Sequence, residues 1–272
     1  MIYPIILTTT YGIVISLIWP EFRKKIREKV TSTRIFFFFL RKIKKYHDAY
    51  AIITAPLYFC LGLVSGIILI LIIKVYFSPL FLDYLFNIFK IKSVLKIFTY
   101  GFLIFLSGAM IILTINAMLS RKIIECLLRG DDFAKIFRST WIEDYLNSSV
   151  KILLFSMLLS VCSEEFFFRA VLTLAIYYFI EEQMLIKIIV ASIVSTSLFV
   201  LHQLRFLHTK LQAMLLTPAA IVIGLLNSLA LLFGASFWSI VLAHYLYVVF
   251  FFIHMQRSSV SISVPSIIFS GI

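Results

Sequence analysis

The stretch AIITAPLYFCLGLVSGIILILII, residues 51–73, runs for 23 residues without a charged side chain. A helix rises about 1.5 Å per residue, so about 20 apolar residues cross a hydrocarbon core about 30 Å thick. This segment reads as a membrane span. Working outward, residues 2–19, 98–120, 152–180, 186–204, 211–233 and 237–253 read the same way. The first ends at Pro20 and Glu21, and the last two are separated by Gly234-Ala235-Ser236. The pattern predicts an all-α, polytopic transmembrane helical bundle of about seven to eight spans. The eighth would come from residues 74–97, read as an interfacial amphipathic helix or a further span.

Composition agrees. Of 272 residues, 62% are hydrophobic and 14% charged, with 28 phenylalanines, against about half apolar and a quarter charged in soluble domains. Mean hydropathy is +1.04. Residues 1–140 read as N-terminal spans with a basic loop, 141–256 as a core carrying the chemistry, and 257–272 as a tail. Residues 1–20 lack a positively charged leader and a small-residue cleavage site, so they read as a retained span. Cys60, Cys126 and Cys162 are odd in number and lack metal-ligand spacing, which makes them small buried hydrophobes, not a disulfide framework.

The formal net charge is +12. The basic residues crowd beside apolar spans, where they suit anionic membrane lipids and set orientation, so nucleic acid is not an expected partner. Residues 21–48 hold ten basic side chains, Arg23 among them, against three acidic ones. That segment is placed on the cytoplasmic side of the cell membrane. Alternation then puts the N-terminus and the Glu181-Glu182 turn outside, and Arg205, His208, Lys210 and Arg257 inside. Residues 74–97, with four lysines and one aspartate, sit on the outer side against the charge rule.

Inside the span 152–180 lies SVCSEEFFFRAV, residues 160–171. A charge at mid-membrane costs roughly 2.5–3.5 kcal/mol on insertion scales, so such groups face the bundle interior and mark function. Glu165 and Arg169 are four apart and nearly eclipse on a helix, in the favourable acid-before-base order. Glu164 points about 140° away from Arg169, which leaves one carboxylate neutralised and the other free to face something else. The bland reading is a structural ion pair that fixes helix packing. Two further spans each carry a histidine, His202 near the cytoplasmic end of one and His244 about midway along the other. Glutamate and histidine together activate water. Glu164, His202 and His244 could equally hold a divalent metal such as Zn. His47, His208 and His254 sit near span ends and read as interfacial.

EEFFFR at residues 164–169 resembles the EExxxR motif of the CPBP intramembrane proteases, the family of the CAAX prenyl endopeptidase Ras-converting enzyme and the bacterial Abi proteins. His202 matches the histidine of the FxxxH motif, with Leu198 at the aromatic position and Phe199 after it. His244 opens the third motif, HxxxN or HxxxD, but Val248 stands where the amide or carboxylate belongs. The likeness covers about residues 145–250. It implies an intramembrane endopeptidase, whether metal- or glutamate-dependent, acting on a peptide or protein substrate. Glu164 would activate water with His202 assisting, and His244 would stabilise the oxyanion. Glu165 and Arg169 would support the site. Asn227, Tyr245 and Tyr247 are candidates for the donor that Val248 cannot supply. The competing readings are a non-catalytic immunity or binding protein of the same fold and a proton-relaying transporter.

Overall fold

The computed structural model describes residues 2–76, 79–128, 147–205, 207 and 209–261. The described chain is a bundle of helices, with no strand among these residues. In order they are α1 (Ile2–Val30), α2 (Arg34–Ile43), α3 (Tyr46–Ile73), α4 (Pro79–Phe89), α5 (Val94–Leu128), α6 (Val150–Glu165), α7 (Leu174–Phe179), α8 (Met184–Leu204), α9 (Lys210–Leu232) and α10 (Phe237–Ser261). A short stretch of tighter pitch, Lys74–Tyr76, follows α3, and one of wider pitch joins α6 to α7. The chain is an all-α integral membrane bundle.

Its surface is inverted relative to a soluble protein. Leu95 is 77% exposed and Leu71 55%, while Glu165, Arg169 and His202 are wholly buried. Apolar side chains outside and polar ones inside match lipid as the solvent, because a lone polar group facing acyl chains has no hydrogen-bond partner.

Five helices among the described residues are long and apolar enough to cross a membrane: Tyr3–Val30, Tyr46–Ile73, Val94–Ile115, Met184–Leu204 and Gln212–Leu232. Phe237–Phe252 is a shorter apolar helix. The expected count of seven to eight is therefore not reproduced by helix length. Residues 152–180 do not form one regular helix: α6 ends at Glu165, an eight-residue π-helical turn spans Phe166–Thr173, and α7 follows. The expected end of the first span at Pro20 is also corrected. Pro20 lies inside α1, which continues to Val30. The segment read as a basic loop is thus largely helical.

Two ends of the bundle can be told apart. Tyr3 and Tyr76 pair with ring centroids 6.0 Å apart, which places the start of α1 beside the end of α3. At the other end, Val30, Phe36, Ala49 and Tyr50 form a small apolar cluster. α2 lies there, capped at its start by Thr33, whose hydroxyl accepts from the Phe36 N–H at 3.2 Å. Arg205, just past α8, pairs with Glu21 at 3.3 Å at the surface, so two segments assigned to one side by their charge do meet.

α3 comes very close to α6. A Cβ on Gly62 would lie 1.9 Å from Ser163 Oγ, and one on Gly66 would lie 2.5 Å from the Phe166 ring. Gly62 and Gly66 are four apart, the small-xxx-small spacing that lets membrane helices pack backbone to backbone. Ser163 uses the proximity to donate to the Tyr58 carbonyl at 3.1 Å. α3, N-terminal to the expected boundary near residue 140, therefore packs directly on the helix that carries the polar cluster, and α1 packs on α3. Residue 140 itself and residues 262–272 of the tail lie outside the described residues.

Candidate functional site

The cluster is built where α6 gives way to the π-helical turn. Widening a helix leaves carbonyls that need new donors, and such turns occur often at functional sites. Here Ser195 Oγ of α8 donates to the Phe168 carbonyl at 2.8 Å. Thr173 Oγ1 lies 2.8 Å from that carbonyl and 2.7 Å from Ser195 Oγ. The distorted segment is thereby fastened to α8.

Glu165 is the hub of one half. Arg169 Nε lies 3.5 Å from its Oε2, as the spacing of the two residues predicts. His244 Nδ1 lies 2.7 Å from its Oε1 and, facing a carboxylate, is the donor. Asn227 is a further neighbour of this carboxylate and donates from Nδ2 to the Ile240 carbonyl at 3.3 Å. The Arg169 guanidinium stacks 4.1 Å from the Phe199 ring, and that ring meets His244 edge-on at 5.9 Å. A planar cation between a carboxylate and an aromatic face is well accommodated in a dry interior.

Glu164 occupies the other half. It is buried at 7% exposure, so it does not face the acyl chains. Gln203 Nε2 donates to its Oε2 at 3.2 Å. Arg23 Nη2 of α1 lies 3.8 Å from its Oε1 and donates to Ser160 Oγ at 3.2 Å. The Arg23 guanidinium is stacked 4.4 Å above the Tyr58 ring of α3. The expectation that Glu164 is left without a cation is corrected: each of the two adjacent carboxylates has its own arginine. Arg23, counted among loop cations from sequence, is buried because α1 continues past Pro20.

His202 lies in the last turn of α8, beside Gln203, and is fully buried. Its ring packs 4.9 Å from Trp19 and 5.4 Å from Phe168, with Arg23 and Arg169 both within electrostatic reach. The expected site residues fall in two groups. Glu165 touches both Arg169 and His244. Glu164 is held by Gln203, the chain neighbour of His202, and by Arg23, one turn from the Trp19 ring on which His202 packs.

Sequence reading missed Arg23, Gln203, Ser160 and the aromatic shelf of Trp19 and Tyr58. The available signal was Trp19 and Arg23, four apart and hence on one face of any helix that runs through Pro20. Of the other candidates, Tyr245 donates to the Leu154 carbonyl at 3.2 Å and Tyr247 to the Phe105 carbonyl at 2.7 Å. Both tie helices together. Val248 packs against the apolar core. His208 and the side chain of His254 lie outside the described residues.

As a metal site the trio fits poorly. His244 turns Nδ1 to Glu165, not to Glu164, and among the described residues no three His, Cys, Asp or Glu side chains converge as ligands. What the arrangement offers chemically is a buried carboxylate held by two donors, beside a carboxylate–imidazole pair. No family model, curated protein or solved structure matches this chain. The functional reading rests on the site.

Proposed function

We propose that this protein is an intramembrane endopeptidase, similar to the CPBP proteases, that cleaves a peptide or protein near the membrane with water activated by Glu164. The observation that carries the reading is the unequal placement of two adjacent carboxylates. Glu165 is enclosed by Arg169 and His244, whereas Glu164 keeps slight exposure and is held by Gln203 and Arg23. Glu164 would take a proton from water as its oxygen attacks the peptide carbonyl, then pass that proton to the departing amine. Gln203 and Arg23 would hold the carboxylate in place. His244, held through Nδ1 by Glu165, would stabilise the oxyanion with its other ring nitrogen. His202, walled by Trp19 and Phe168, would assist from the α8 side.

Positioned acid–base groups contribute about 10²–10⁴-fold, so Glu164→Gln is expected to stop cleavage at unchanged protein abundance. Peptidomic comparison of membranes carrying the native chain or Glu164→Gln identifies the products. Identical peptide sets from a stable variant would sink the proposal.

Two observations favour a second reading, a non-catalytic membrane binding or immunity protein of this fold. Val248 packs against the apolar core, and Arg23 already serves as counterion to Glu164. On that reading the cellular phenotype survives alanine at Glu164, His202 and His244. Its loss at normal abundance excludes it.

A further inference from the structure

A concavity lies at the end of the bundle away from α2, where α4 ends and α5 and α10 begin. It has a volume of about 320 Å³ and is lined by Lys90, Lys92, Lys96, Tyr84, Tyr100 and Ser236, among others. Among the described residues no carboxylate lines it, and Asp83, the acid of this segment, is not part of its wall. These lysines belong to the segment that runs against the charge rule for membrane orientation. Ammonium groups gathered in one hollow repel each other, and they lie opposite the end where basic residues are ordinarily kept. An anion in the hollow removes the repulsion and supplies a reason for the lysines.

The wall is already formed. Trp238 Nε1 donates to the Phe89 carbonyl at 2.9 Å, and the Phe89 and Phe237 rings meet at 4.6 Å, which fixes the end of α4 against the first turn of α10. Gly234 adopts φ +92°, a left-handed conformation open to glycine, and so lets the chain reverse from α9 into α10 beside the cavity. Ser93 caps α5 by accepting from the Lys96 N–H at 3.3 Å, and Ser236 caps α10 by accepting from the Ser239 N–H at 3.2 Å. The positive ends of two helices therefore add to three lysines.

The geometry points to a binding site for a phosphate group here, carried by an anionic phospholipid headgroup or as a free phosphate. Lysines supply the charge, tyrosine and serine hydroxyls the hydrogen bonds. The position at the ends of the spans, with the exposed Tyr100 in its wall, is that of lipid headgroups. The site is separate from Glu164 and stands whether or not the chain is a protease.

The test uses the full chain purified in neutral detergent. Native mass spectrometry counts retained lipid after mixing with phosphatidylglycerol or phosphatidylcholine, and thermal unfolding is followed against inorganic phosphate, with chloride at equal ionic strength. The variant is Lys90→Gln/Lys92→Gln/Lys96→Gln. The control removes charge at the other end, by Arg34→Gln/Arg41→Gln/Lys42→Gln. Retention of phosphatidylglycerol over phosphatidylcholine, lowered about tenfold or more by the first variant and not by the control, supports a headgroup site. A lysine-dependent rise in unfolding temperature with inorganic phosphate supports a free phosphate. Equal behaviour of native protein and first variant in both arms overturns the site. Should the glutamine variant fail to fold, Lys90→Arg/Lys92→Arg/Lys96→Arg is expected to retain the ligand, and loss of it there also overturns the proposal.

Discussion

Arg23 of α1 and Glu164 of α6 lie with Nη2 and Oε1 3.8 Å apart in the bundle interior. The contact gives the first helix a part in the polar cluster. Leaving a buried charge without its partner costs about 3–5 kcal/mol. Arg23→Ala is therefore expected to lower stability toward the bottom of that range, since Gln203 still donates to the carboxylate. The double variant Arg23→Ala/Glu164→Gln should recover much of the loss. Unfolding in mixed detergent reads both, and strictly additive losses would show that the two groups do not interact.

Glu165 and Arg169 are more deeply enclosed. Either one replaced by alanine is expected to cost about 3–5 kcal/mol, with the double variant costing less than the sum. His244→Ala removes one hydrogen bond to a charged group and should cost about 1.5–3 kcal/mol. The same unfolding measurement ranks the three. A His244 loss as large as that of Arg169 would contradict the ranking.

The two carboxylates should separate by function. Glu164→Gln keeps the shape of the side chain, and Arg23 keeps Ser160 and the Tyr58 ring as partners, so its stability loss should stay below that of Glu165→Gln while cleavage falls about a hundredfold or more. Glu165→Gln should reduce both, because Arg169 loses its counterion. Product peptides per unit of folded protein give the comparison, and a Glu165→Gln protein that is stable and fully active would reverse the assigned roles.

Gly62→Ala tests the approach of α3 to α6. The new Cβ meets Ser163 Oγ, Ser163 Cβ and the Trp19 ring, the last at 2.9 Å, so overpacking of about 1–3 kcal/mol is expected. Ser163→Ala in the same chain removes the worst clash and should restore part of the stability. No change in unfolding would mean that the helices part easily there.

Val248→Asn supplies the donor that the resemblance places at this position. Loss of one oxyanion donor costs about 10²–10³-fold, so a chain limited by that absence should gain activity in proportion. Unaltered product yield from a folded variant would remove position 248 from the chemistry.

Much of this was legible in the chain. The uncharged run at 51–73 and its counterparts require a lipid-embedded helical bundle, whatever their order of packing. The i,i+4 spacing of Glu165 and Arg169 announced their pairing, because that distance is internal to one helix. The cation beside Glu164 was not legible. Pro20 and the charges after it suggested that the first span had ended, while in the folded chain α1 carries Arg23 onward to Tyr58 and Ser160.

The sequence by itself determined the solvent, the all-helical character and the presence of charges that lipid cannot hold, since these depend on local composition and on periodicity within one segment. Only the tertiary structure decided that Arg23 faces Glu164, that His244 belongs to Glu165, and that the lysines at 90–96 share one hollow with the start of α10. Those relations join helices far apart in the chain. They depend on the close approach at Gly62 and on the turn at Gly234, where the crossing of whole elements, not the order of neighbouring residues, sets which groups meet.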